Sequence, residues 1–205
     1  MYFVTEDSSS GALRRIQPAF QSAGAGWDSL TEDAGVTRQY LVMDPTTSTF
    51  SWTTDIDAGR ASASAHYPHS EGLSVQAGIL HMTSKDLSTI FSLNLQTRSF
   101  TSFDTTNAIL EGDGTFEEEG DQLTQISEKA LFIGENGGPS PGLYALDLDT
   151  DSFYAIFEAV SDIYSGDDVT GIAFSPDKKR LYAAYENLGI LLEFAREDGL
   201  TFDEE

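Results

Sequence analysis

Short runs of alternating apolar and polar residues, broken about every 8–12 residues by turn-forming clusters, recur along most of this chain. The clearest stretch lies between Glu119 and Phe157. Asp121–Ile126 and Ala130–Glu135 each read as a strand there, and Gly142–Leu148 with Ser152–Phe157 read as a hairpin. Two neighbours repeat the plan, one opening at Glu71-Gly72-Leu73 and the other at Thr170-Gly171-Ile172. The openings therefore stand at 71, 121 and 170, about 50 residues apart. Four strands in a repeat of about 40–50 residues is the spacing of a β-propeller blade. Almost nothing follows a 3.6-residue period, so the chain is predicted to be all-β.

The flanking regions fit this plan less regularly. Tyr2–Thr5 and Ala12–Ile16 read as strands joined by a Ser/Gly turn, and Ala19–Val36, rich in Gly, Ala and Ser, reads as a long loop. Gln39–Met43 and Thr49–Thr53 flank the turn Asp44-Pro45-Thr46-Thr47, with Trp52 expected to pack beneath that hairpin. Residues 54–70 form a polar connection whose small residues permit a short helix without demanding one. Ile90–Leu95 and Ser99–Phe103 make the hairpin of the next repeat, and the acidic stretch Asn107–Gly120 reads as a solvated loop. Gly171–Ser175, Arg180–Tyr185 and Gly189–Phe194 supply the last three strands.

The expected fold is thus all-β and β-propeller-like, with about four blades of four-stranded antiparallel sheet in one domain over residues 1–205. Residues 1–53 would supply a degenerate blade or parts of two, and 71–104, 119–158 and 168–195 the clearer blades. Propellers generally close with four to eight blades, and an open fan would leave sheet surface uncovered. Either a small irregular propeller closes, or an incomplete one is completed by a missing segment or another chain.

Charge narrows the partners. Eleven basic residues stand against thirty-four acidic ones, a net charge of −23 over 205 residues, which argues against a phosphate backbone or an anionic membrane surface. No apolar run approaches the roughly 20 residues of a membrane span. Cysteine is absent, so neither disulfides nor thiolate chemistry enter. The opening Met1-Tyr2-Phe3-Val4-Thr5 has no basic start and apolar core, and enters directly on a strand-like run, as expected of a fragment or a truncated reading frame.

Candidate chemistry follows from the blade plan, because the innermost strands of a propeller converge at its channel. The blade openings read Glu71-Gly72, Asp121-Gln122 and Thr170-Gly171. A second recurrent position reads Thr5-Glu6-Asp7, Gly134-Glu135-Asn136 and Tyr185-Glu186-Asn187, but Thr83-Ser84-Lys85 in the remaining unit. Converging carboxylates raise one another's pKa unless a hard cation such as Ca²⁺ or Mg²⁺ neutralises them; alternatively, these acids are solvated turn residues.

Several of these runs are similar to elements of the PhoX-type alkaline phosphatase family and its uncharacterised relatives. They are Tyr2–Asp7 with Gly11–Arg15, Tyr67–Gly72, Asp121-Gln122-Leu123, Gly134–Gly138 and Thr170–Asp177, in the family's order over most of residues 1–200. The resemblance, which is to the family's C-terminal part, implies an exported β-propeller that holds Ca²⁺ and iron on channel carboxylates and hydrolyses phosphomonoesters. Carried over by position, Glu6, Glu71, Asp121 and Glu135 would be metal ligands, and a small phosphorylated molecule the substrate. The characterised phosphatases also use a cysteine in the metal cluster, and this chain has none. A non-catalytic propeller binding Ca²⁺ or a protein partner, or a subunit of a larger assembly, is the alternative.

Three decoys are set aside. Asp147–Ser152 with Glu158 imitates an EF-hand loop, but strand-like flanks favour a hairpin. The glycine-rich run 134–142 lacks the P-loop Lys-Ser/Thr and reads as an interstrand loop. His66, His69 and His81 are read as polar loop or strand residues, with a channel-mouth contact to phosphate as the sharper alternative for the first two.

Overall fold

A computed structural model describes residues 1–17, 36–106, 110–111 and 114–203. The described residues form four sheets and one α-helix, and the chain divides into two compact units, Met1–Ser70 and Glu71–Glu205.

In the first unit, β1 (Tyr2–Val4), β2 (Arg14–Gln17), β3 (Thr37–Asp44) and β4 (Thr49–Thr53) pair antiparallel in chain order. The expected loop from Ala19 lies outside the described residues, apart from Val36. Trp52 packs against Phe3 and Phe50, with the Arg15 guanidinium 4.7 Å from its ring centre. The polar connection becomes the helix α1 (Ile56–His66), capped by the Asp55 carboxylate, which accepts the N–H groups of Asp57 and Ala58. Its buried face is Gly59, Ser62 and Ala63, small enough for close packing. A Cβ on Gly59 would lie 2.4 Å from that of Tyr40, and Ser62 Oγ accepts the Met43 N–H at 2.9 Å. Leu13, Leu41, Met43, Phe50, Ala63 and Tyr67 form the buried interior of this unit.

Three sheets make the second unit. β5 (Ser70–Gln76), β6 (Ile79–Ser84), β7 (Thr89–Asn94) and β8 (Phe100–Asp104) form one. β10 (Glu119–Gln125), β11 (Ala130–Asn136), β12 (Gly142–Asp147) and β13 (Ser152–Glu158) form the next, joined in parallel at the β13 edge by the two-residue β9 (Leu110–Glu111). Part of the acidic loop therefore pairs as sheet. β14 (Val169–Phe174), β15 (Leu181–Tyr185) and β16 (Ile190–Phe194) form a three-stranded sheet. All pairings other than β9 are antiparallel, so the β-propeller-like class expected from the repeat is the observed one.

The turns absorb part of the acidity. Asp44, Asn94, Asp147 and Asp177 each accept backbone N–H groups of their own turns. Ser48, Ala77, Arg98, Asp151 and Lys178 take left-handed backbone angles at the hairpins. The EF-hand imitation is thus the β12–β13 hairpin. Between sheets, Ile90, Leu123, Leu131, Ile133, Tyr144, Leu146 and Phe153 bury one core, and Phe132, Leu143, Ala145 and Leu181 a second. Each of the Leu, Ile and Phe side chains among them contributes about 1.5–3 kcal/mol over its exposed state. Close approach also fixes Gly134 of β11, where a Cβ would lie 2.1 Å from the Val169 carbonyl oxygen.

Candidate functional site

Glu71 on β5 and Asp121 on β10 stand at the start of adjacent sheets, and a threonine locks the two strands. Thr83 of β6 donates its hydroxyl to the Asp121 carbonyl at 2.8 Å and accepts the Gly72 N–H at 2.9 Å. Asp121 lies in a register shift of the β10–β11 pairing, between Gly120 and Leu123. It is 2% exposed, and its Oδ1 is buried without a hydrogen-bond partner among the described residues. Burial, followed by the hydrogen bond and the charge of Glu71, pushes the Asp121 carboxyl up to about 8. At neutral pH Asp121 is therefore protonated beside Glu71. The Lys85 ammonium lies 3.1 Å from Glu71 Oε2 and neutralises the remaining charge. Asp168 is also drawn into this field: burial and then the Glu186 charge raise it, against the pull of Lys85.

Glu135, at the end of β11, is fully buried and surrounded by donors. Its Oε1 accepts the N–H groups of Glu117 at 2.6 Å and Glu118 at 2.8 Å, and its Oε2 accepts Gly142 N–H at 3.1 Å. Tyr144 Oη is 3.1 Å from the same Oε2, 2.7 Å from the Thr115 carbonyl and 2.8 Å from Glu158 Oε1. Burial pushes Glu135 up to about 7 against the effect of these donors. Burial and then the Glu135 charge, with Glu158 adding to both, push the Tyr144 phenol up. Glu135 thus ties the segment before β10 to β11 and β12.

Glu6 belongs to the first unit, where its half-exposed side chain lies 3.8 Å from Arg14 Nη2. It follows the first strand of its sheet, whereas Glu135 closes the second strand of its own, so the two hold different places in their sheets. Of the four expected ligands, the second unit brings Glu71 and Asp121 together and holds Glu135 in a separate set of hydrogen bonds. Among the described residues no group of three or more His, Cys, Asp or Glu side chains is arranged to hold a metal ion. The donor set around Asp121 does not fit a hard cation as it stands, because the Lys85 ammonium already neutralises it. Sequence reasoning had noted Thr83-Ser84-Lys85 only as the exception to an acidic pattern; that exception is where both the lock and the counter-charge reside.

The histidines separate. His66 ends α1, His69 has its Nδ1 2.8 Å from Asp7, and His81 is buried on β6. The glycine-rich run is the β11–β12 loop, with Gly137 and Gly138 at positive φ.

No family model matches the sequence, and no curated protein does. Solved structures do match, and they are β-propeller-like. The extracellular domain of a putative hybrid two component system from B. thetaiotaomicron aligns with 97% of this chain at 16% identity and a TM-score of 0.53. This chain spans 26% of that one. A chain of the nidogen/laminin complex aligns over 89% of this chain and 68% of its own, at 11% identity and TM-score 0.47. Regucalcin from Agrobacterium tumefaciens, a calcium-binding protein, aligns over 62% and 42%, at 15% identity and TM-score 0.41. At these identities the likeness is one of fold. The protein is a β-propeller-like chain.

Proposed function

We propose that this chain is a non-catalytic, binding β-propeller module whose recurrent carboxylates tie strands and sheets together. The observation that carries this reading is the Glu71–Asp121–Lys85 group. A lysine ammonium meets the charge of the carboxyl pair, and burial keeps the second carboxyl protonated. A phosphomonoesterase of the PhoX type would instead need those oxygens ionised and free to clamp cations, which in turn hold phosphate oxygens and activate the nucleophile. Glu135 supports the same reading, since protein donors occupy both its oxygens.

The test is a pair of measurements on the purified chain. Para-nitrophenyl phosphate with Ca²⁺ and iron, with and without chelator, is expected to give no turnover above a Glu71→Gln control. Millimolar Ca²⁺ is expected to leave the melting temperature unchanged. Chelator-sensitive turnover that Glu71→Gln abolishes would overturn the proposal. So would a Ca²⁺-dependent rise in melting temperature that Asp121→Asn removes.

A further inference from the structure

Two open clefts occupy equivalent places in the second unit, and their chemistry differs. Strand register establishes the equivalence. His81, Ser92 and Thr101 are direct cross-strand partners on β6, β7 and β8. Phe132, Ala145 and Tyr154 are the corresponding partners on β11, β12 and β13. Partners directly opposite one another project to the same side of a sheet. The Phe-Ala-Tyr row forms the apolar wall of a cleft of about 530 Å³ that Lys129, Asp147, Arg196 and Asp203 also line, and Phe132 packs edge-on against Phe202 there. The His-Ser-Thr row lines a cleft of about 430 Å³ facing Gln125 and Leu148 of the following sheet.

The polar row is not a requirement of the fold, because the neighbouring sheet fills the same row with apolar side chains. One row away, Ile90 and Phe103 pack into the core shared with the next sheet. At the His-Ser-Thr row that packing stops. Burial strips polar groups of their hydration, a cost that the pairing of His81 with Ser92 offsets only in part. His81 is 2% exposed, with Nδ1 2.7 Å from Ser92 Oγ, and burial pushes its pKa down to about 4, leaving a neutral ring at physiological pH. Gln125 Oε1 is buried without a hydrogen-bond partner.

Among the described residues one acidic side chain, Glu128, stands on the wall, and no lysine or arginine does. Such a surface offers hydrogen-bond donors and acceptors but no cation for a phosphate or carboxylate. Phe103 and Leu148 add apolar area beside the polar row. A few hundred Å³ is the scale of a small-molecule site, and a few placed polar groups over an apolar wall are its usual composition.

We propose that this cleft binds a neutral, hydroxyl-rich ligand of saccharide size, with His81, Ser92, Thr101 and Gln125 as its hydrogen-bonding groups and Phe103 and Leu148 packing on its apolar face. The inference goes beyond the preceding one, which concerns other residues and would survive its failure.

The experiment follows the His81 ring resonances of the whole chain by NMR while maltose, cellobiose or xylobiose is added to about 10 mM, a range that reaches weak, millimolar binding. At least one disaccharide is expected to shift them saturably. His81→Phe recreates the aromatic residue of the neighbouring row, and Thr101→Val removes an exposed hydroxyl that the fold does not need. Binding to both variants, measured by saturation-transfer NMR on the sugar, is expected to weaken by about tenfold or more. Should His81→Phe fail to fold, Thr101→Val decides alone. Wild-type affinity in Thr101→Val, no shift with any of the three sugars, or an equal shift with inorganic phosphate would each overturn the proposal.

Discussion

Replacing Asp121 by Asn should make the protein's stability less sensitive to pH, and the direction follows from proton linkage. The Asp121 carboxyl is raised from 3.8 to about 8, first by burial and then by Glu71. Between those values the folded chain holds a proton that the unfolded chain has released. The unfolded state then binds fewer protons, so this group makes stability fall as pH rises through the window. The slope is about 1.4 kcal/mol per pH unit, which gives a ceiling of about 4 kcal/mol between pH 5 and pH 8. Relaxation around the ionised site and entry of water bring the real figure below that ceiling. Asn cannot ionise, and its amide can still donate a hydrogen bond to Glu71. Glu135, which is not among the groups that shift Asp121, titrates in both proteins and cancels in the comparison. Urea unfolding followed by circular dichroism at the two pH values is the assay. Even half of the ceiling, about 2 kcal/mol, moves the midpoint by about 1 M urea at a slope of about 2 kcal/mol/M. The variant should gain on the wild type as pH rises. An Asn-minus-wild-type difference that is the same at pH 5 and pH 8 would refute a buried, protonated Asp121.

Two further perturbations test the joints between elements. Gly134→Ala places a Cβ 2.1 Å from the Val169 carbonyl oxygen, so the adjoining sheets must separate. A loss of about 3 kcal/mol or more is expected, read as a fall of roughly 6–12 °C in melting temperature. An unchanged melting curve would show that this approach is not close in solution. Glu135→Ala leaves the N–H groups of Glu117, Glu118 and Gly142 without their acceptor and should cost about 3–5 kcal/mol in urea unfolding. A loss under about 1 kcal/mol would mean that water replaces the carboxylate freely.

Alternation and punctuation along the chain made the strands legible. Asp44-Pro45, Asp147-Leu148-Asp149 and Pro176-Asp177 announced hairpins because the acid can accept its own turn's N–H groups, a local interaction that needs no tertiary partner. The helix α1 was nearly invisible for the opposite reason. Its buried face is Gly59, Ser62 and Ala63, so it carries no apolar stripe at helical spacing, and its value lies in approaching Tyr40 closely. The two-residue β9 pairs along the β13 edge within a stretch whose acidic composition predicts a loop.

The candidate site divides in the same way. The recurrence of Glu71 and Asp121 at blade openings was readable because a repeat returns equivalent residues to equivalent places. The protonation of Asp121 was not, since it depends on burial and on the charges of Glu71 and Lys85, the second a residue that enters as a break in the pattern. Glu135 carried the same acidic label in the sequence, yet its oxygens are taken up by N–H groups from residues 117, 118 and 142.

The sequence by itself determined the repeat, the all-β class and the local turns, all of which rest on short-range periodicity and backbone preference. Tertiary structure alone decided which carboxylates meet, which keep a proton and which row of a sheet becomes polar. Those outcomes depend on desolvation and on contacts between residues tens of positions apart, and neither leaves a periodic trace in the chain.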